Sequence, residues 1–189
     1  MTFSTQRRET WARAGGYVAP VDLKIAIRTR RTHKAFRSEP LAREEIEKLL
    51  ELARWAPNHN LTAPWRFRVV GPHALGRLKE AVGPEGAAKL DRAPTLIVVS
   101  CALGGDPVQD EEDLHATAVA SYIVLLAAHG RGWAGYWRTP GVLRTDEGRE
   151  AVELPDDERF VGLLHLGGPR QEKQPPERPP VEQTTVFLA

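Results

Sequence analysis

One stretch of this sequence, Ala116–Ala128 (ATAVASYIVLLAA), is too apolar to be an ordinary half-buried surface helix. It forms the second half of what reads as the longest helix of the chain, Val108–His129. A helix that is apolar all round must be covered on all sides. In a chain of 189 residues, the size of one domain or of one subunit of an intertwined pair, a second copy is a natural cover.

Strands and helices alternate around that helix. Thr95–Ala102 (TLIVVSCA) is a continuous apolar run rich in β-branched residues, the pattern of a central strand buried on both faces. Trp65–Val70 alternates large apolar and charged side chains and predicts a strand with one face buried. Trp133–Arg138 and Phe160–Leu166 predict two more strands, and Thr184–Leu188 a last short one. Asp22 is placed to cap a helix running to about Arg30, with Leu23 and Ile27 toward the core. A second helix is expected from about Ala42 to Trp55, with Ile46, Leu49, Leu50 and Ala53 on one face, and Ala56-Pro57 ends it. A third is expected around His73–Val82. Residues 1–20 read as a loosely held extension and 21–189 as one domain, in which Gly168–Pro180 is an extended, proline-rich segment. The alternation without internal repeats implies a layered sandwich of sheet and helices.

Charge and composition exclude several classes. Lys plus Arg total 26 against 25 for Asp plus Glu, so no long-range attraction for nucleic acid or an anionic membrane is expected. No apolar run approaches the ~20 residues of a membrane span. The N-terminal segment carries arginines but no apolar secretory core, which makes the cytoplasm the default expectation. Cys101 is the single cysteine, so an intrachain disulfide and a cysteine-based metal cage are ruled out. Glu111 and His115 stand one helical turn apart without a third ligand, and no metal site is expected. His165, inside an apolar strand, reads as a hydrogen-bonded core histidine, and Cys101 as packing. Dinucleotide-binding G-x-G-x-x-G, Walker, H-E-x-x-H and G-x-S-x-G signatures are missing. A nicotinamide, if used, is held without a Rossmann unit.

Three segments can carry chemistry. Arg28-Thr-Arg-Arg-Thr-His-Lys34 offers guanidinium forks and a hydroxyl to an anion, or simply compensates the end of a helix dipole. Ala56–Trp65 is a loop braced by two prolines, with Asn58, His59, Asn60 and Thr62 able to grip a ring edge. Gly130–Thr139 combines glycines that admit close approach with Trp137 and Arg138 at a strand end, and reads equally as a turn and an aromatic core strand.

In this order the segments resemble the nitroreductase family, particularly its short flavin-binding branch. Arg30-Arg-Thr-His-Lys34 stands for an R-R-S-x-R/K-type stretch, and Ala56–Phe67 for an A-P-S-x-x-x-x-Q-P-W-x-F-type segment. Gly130–Thr139 matches a G-x-G-x-x-W-R-T/S-type segment, and Leu163–Pro169 a late strand running into G-x-P. The resemblance covers roughly residues 22–188. It implies an α+β fold with a central mixed or antiparallel sheet flanked by helices, in an interlocked homodimer holding FMN at its interface. Carried over by position, Arg30 and Thr32 hold the FMN phosphate, with Arg31 acting through its backbone and Arg178 from the tail. Lys34 sits near the pyrimidine edge of the flavin, His59 approaches from the second subunit, and Trp137, Arg138 and Thr139 line the other side. Leu61 and Ala63 depart from the Asn and Gln of many members. The implied activity is ping-pong electron transfer from NADPH or NADH to a nitroaromatic, quinone or similar small planar acceptor. The alternatives are a relative specialised for enone reduction or dehalogenation, and a flavin-binding protein without turnover.

Overall fold

Thr95–Ala102 forms β2, the spine of the sheet, and seven of its eight residues are buried. The structure, a computed structural model, describes residues 22–188, so the extension expected over 1–20 lies outside the described residues. β2 runs between β1 (Trp65–Val69) and β4 (Glu158–Gly167), and β3 (Ala134–Arg138) pairs with the far side of β4. Every strand pairing is antiparallel, which settles the α+β sheet between the two expected forms.

Helices cover both faces. On one, Leu96, Val98 and Leu163 pack with Leu78 and Leu90 of α3 (Pro72–Leu90) and Ala151 of α5 (Asp146–Ala151). On the other, Ile97, Val99, Leu164 and Leu166 meet α2 (Arg43–Ala53) and α4 (Pro107–Gly130). The predicted face of α2 is the inner one: Ile46, Leu49 and Ala53 are buried and Leu50 packs beside them.

Four expectations need correction. In α1 (Leu23–Thr29) Asp22 caps as expected, its Oδ1 accepting from Lys24 and Ile25 N–H at 2.9 and 3.2 Å. The helix nonetheless turns Ala26 inward and leaves Leu23 and Ile27 64% and 49% exposed. The third helix does not stop at Val82. Gly83 takes φ 73°, open to glycine, and Pro84 then starts a new helical segment that reaches Leu90, since proline suits a first helical position. Thr184–Leu188 is not a strand. After a 3-10 turn at Val181–Gln183 the chain pairs with nothing among the described residues, and Val186, Phe187 and Leu188 stand in the open. Lastly, His165 is fully buried, yet neither ring nitrogen has a hydrogen-bond partner. Its ring lies tilted against Tyr136, centroids 5.7 Å apart.

In the apolar second half of α4, Ala120, Val124, Leu125 and Ala128 are buried against the sheet. Val119 and Tyr122 remain 41% and 37% exposed, so one chain covers only part of the apolar surface. No helix among the described residues is long and apolar enough to cross a membrane.

Candidate functional site

The chain leaves α1 at Arg30, where φ/ψ of −57°/127° switches it from helix to extended. Two residues on, Thr32 forms a parallel bridge with Gly135 of β3, and His33 N–H donates to the Gly135 carbonyl at 3.1 Å. Gly135 itself has no room for a side chain, because a Cβ there would lie 2.6 Å from Leu125 Cδ2 of α4. The tail returns to the same place after β4. Phe36 bridges Pro169, and Lys173 Nζ donates to the Thr32 carbonyl at 2.7 Å.

These three segments gather basic groups. Arg30 lies 5.6 Å over the ring of Tyr122, and the Arg31 guanidinium donates to the carbonyls of Arg30, at 2.5 Å, and of Arg28. Burial, together with the charges of Arg178 and Arg30, pulls Arg31 below its ordinary value. His33 is lowered by burial, then by Lys173 and Arg30. His129, whose Nε2 stands 2.8 Å from Thr29 Oγ1, is lowered by burial, then by Arg30, His33 and Arg31. Both imidazoles are therefore held toward the neutral form, by burial first and by their cationic neighbours second. Among the described residues Arg30, Arg31, Lys173 and Arg178 have no ion pair. The Nε atoms of Arg30 and Arg31 are buried without an acceptor. Buried donors without acceptors and clustered like charges are both costly, and an anion with several oxygens relieves both. The donor set fits a phosphate ester.

Of the residues singled out in the sequence, Arg30, Arg31, Thr32 and Arg178 belong to this cluster. His33, inside the same basic stretch but given no role of its own, joins it, as do His129 and Lys173 from elsewhere in the chain. The only signal that His129 and Lys173 give in the sequence is their residue type, and it takes the fold to bring them there.

The other residues lie elsewhere. Lys34, exposed, lines a cavity further along the same segment, with Arg37, Arg92 and Arg170. His59 Nδ1 meets Glu112 Oε2 at 2.6 Å near the start of α4. From residue 112 to His129 the helix rises roughly 25 Å, so within one chain His59 is remote from the cluster. Its loop is strained, with Asn60, Leu61 and Ala63 at φ 55°, 52° and 45°, and is moored to α4 by Asn60–Gln109 and Thr62–Asp113 hydrogen bonds of 2.9 and 2.5 Å. Strand alternation separates Trp137 from Arg138. Trp137 packs on the α2–α4 face and donates from Nε1 to the Val161 carbonyl at 3.3 Å. Arg138 points to the α3–α5 face, 6.0 Å from the ring of Tyr136 and 3.4 Å from the Lys89 carbonyl. Thr139 is exposed just past the strand. Cys101 is buried, which raises its thiol pKa, as a packing role requires. No group of three metal-ligating side chains occurs among the described residues.

Gly162 fixes the Trp137 ring, since a Cβ there would fall 2.0 Å from Trp137 Nε1. Gly162→Ala should displace the indole, change the near-UV circular dichroism, and cost about 1–3 kcal/mol in denaturant unfolding. An unaltered aromatic spectrum would contradict this packing.

A four-stranded antiparallel sheet with helices on both faces, and a basic anion site where the segment after α1 meets β3, define an α+β protein of nitroreductase-like fold. The model of the nitroreductase family matches residues 27–168, and the chain belongs to that family of oxidoreductases. YfhC of Bacillus subtilis, provisionally named an NAD(P)H nitroreductase, is 26% identical over 84% of this chain and 90% of its own length. A nitroreductase-like family protein from Bacillus cereus superposes with a TM-score of 0.81 at 23% identity, over 92% of this chain and 99% of that one. NfnB from Sphigopyxis sp. strain HMH, described as an FMN and NADPH-dependent nitroreductase, shares the fold with a TM-score of 0.75 at 16% identity, over 89% and 100% of the two chains.

Proposed function

We propose that this protein is an FMN-dependent oxidoreductase working as a homodimer. In this reading it takes electrons from NADH or NADPH and passes them, by a ping-pong mechanism, to a nitroaromatic, quinone or similar small planar acceptor. The observation that carries the reading is the basic cluster around Arg30 and Arg31, without ion pairs among the described residues and with two buried guanidinium donors lacking acceptors. Bound FMN supplies the two-electron relay, and donor and acceptor take turns beside it.

The chain's own residues have binding and orientation as their task. Arg30 and Arg178 neutralise the phosphate, Arg31 contributes through its backbone and the Thr32 hydroxyl donates to it, while Lys173 ties the tail to the Thr32 carbonyl. Lys34, two residues on, places a positive charge at the ring edge. Trp137 offers a flat apolar wall held by Gly162. Arg138, on the opposite face, has no direct contact with the ring in this arrangement. His59, distant from the cluster in its own chain, takes part from the second subunit. The exposed Val119 and Tyr122 on α4, and Leu23 and Ile27 on α1, supply apolar surface for that subunit to cover.

Arg30→Ala should weaken FMN binding by roughly 10- to 100-fold, the ~1.5–3 kcal/mol of a charge-assisted hydrogen bond. Quenching of flavin fluorescence during titration of the apoprotein measures it. An unchanged dissociation constant would remove the phosphate assignment, and a purified protein that neither carries nor takes up FMN would remove the whole reading.

A further inference from the structure

Basic side chains without ion pairs form a second group further along the segment that carries Thr32. Lys34, Arg37, Arg92 and Arg170 line a cavity of about 360 Å³ together with Ser38 and Asp91. They come from three places in the chain: the segment after α1, the turn after α3, and the residue following β4 by three positions. Their frame is fixed. Arg37 N–H donates to the Gly168 carbonyl at 2.7 Å, Phe36 bridges Pro169, and the Arg37 side chain lies across Gly168, where a Cβ would come within 3.1 Å of its Cδ.

The charge balance around this cavity is one-sided. The single acid on its wall, Asp91, is already engaged by Lys79. Among the described residues none of the four cations has a carboxylate within ion-pair distance, although Arg43, Arg54, Arg68, Arg77, Arg131 and Arg149 all do. On a chain with 26 cations and 25 anions such a concentration is not a general excess of base. Four like charges around a small cavity repel one another, and a multiply charged anion converts that repulsion into binding. Three guanidinium forks and an ammonium match the three oxygens and roughly −1.5 to −2 charge of a phosphomonoester better than a single carboxylate, while the Ser38 hydroxyl is turned to Glu39 Oε1 at 3.4 Å.

We propose that this cavity is a second anion site, separate from the Arg30–Arg31–Arg178 cluster, that takes a phosphomonoester. On a nicotinamide donor that group is the 2′-phosphate, so the site selects NADPH over NADH. Lys34 stands two residues of extended chain, roughly 7 Å, beyond Thr32, which makes the two anion sites neighbours. The donor assignment rests on the oxidoreductase reading above, whereas the anion site stands on the cavity itself.

The test uses FMN-loaded protein and calorimetric titration with NADP+, NAD+ and inorganic phosphate. Of the two dinucleotides only NADP+ carries a phosphomonoester, because the pyrophosphate they share is esterified at both ends. The expected result is that NADP+ binds about 10-fold or more tightly than NAD+, an advantage that Arg92→Ser/Arg170→Ser reduces to near parity. The same double variant should lower the NADPH-to-NADH ratio of kcat/KM about 10-fold or more. Equal affinity of the wild type for the two dinucleotides, or an advantage that survives the double substitution, overturns the site. Inorganic phosphate binding as tightly as NADP+ overturns the assignment to the donor. If NADP+ keeps its variant-sensitive advantage while neither reduced nicotinamide reduces the flavin, the anion site holds and the donor reading fails. If both reduced nicotinamides reduce the flavin and NADP+ has no advantage, the opposite is true.

Discussion

Arg68→Ala should destabilise the fold by about 3–5 kcal/mol, as expected when one partner of a buried ion pair is removed. Arg68 reaches from β1 to Glu158 on β4 with two bonds, Nη1 to Oε2 at 2.7 Å and Nη2 to Oε1 at 2.9 Å. Its Nη1 also reaches Ser100 Oγ on β2 at 2.9 Å, and the Ser100 hydroxyl donates to Glu158 Oε2 at 2.5 Å. Glu158 is only 8% exposed, so truncation of Arg68 strands its charge. Burial pushes the Glu158 carboxyl up, but the hydrogen bonds from Arg68 and Ser100 outweigh it and hold it below its ordinary value. A lowered carboxyl pKa stabilises the fold above the unfolded value, and the contribution disappears as pH falls through the folded one. Wild type should therefore lose more stability than Arg68→Ala on acidification. Arg68→Met/Ser100→Ala/Glu158→Leu should recover most of the loss, since apolar replacement of a whole buried network leaves no polar partner stranded and is often nearly neutral. Denaturant melts that place Arg68→Ala within 1 kcal/mol of wild type would contradict the network.

His165→Leu should leave the protein at least as stable at pH 7 and make it about 2 kcal/mol more stable than wild type at pH 5. Burial, then the charges of Arg138 and Arg92, depress the His165 pKa from 6.5 to about 4. The unfolded chain takes up the proton below 6.5 and the folded one resists it until about 4. The stability of wild type consequently falls as pH drops through that interval, by roughly 3 kcal/mol in all. Leucine has a similar volume, no proton to gain, and no polar atom left unpaired. Parallel stability profiles of wild type and variant from pH 7 to 4 would show that His165 does not titrate in this way.

Much of the fold is legible in the residues. The apolar run at Thr95–Ala102 could only be a strand covered on both sides, and the spacing of Ile46, Leu49 and Ala53 marks the inner face of α2. What resists reading has physical causes. Gly83-Pro84 looks like a stop, yet a glycine with positive φ lets proline open the next helical segment. Val186, Phe187 and Leu188 have strand propensity, but propensity yields no strand without a neighbour to pair with. For His165, an apolar strand context foretells burial and not the missing hydrogen-bond partners. The candidate site divides similarly. Adjacent arginines announce Arg30 and Arg31, whereas His129 and Lys173 are almost a hundred residues or more away and meet them only through the packing of α1 on α4 and the return of the tail.

Helix α4 meets the basic cluster at its C-terminal end, through His129, and the strained His59 loop near its start, through Gln109, Glu112 and Asp113. It therefore acts as a calliper between them. One residue inserted or deleted between Asp113 and His129 would swing one end by about 100° and slide it 1.5 Å relative to the other. Surface loops can drift in length without such a penalty, whereas the number of turns in this rod is locked to the separation of two distant groups.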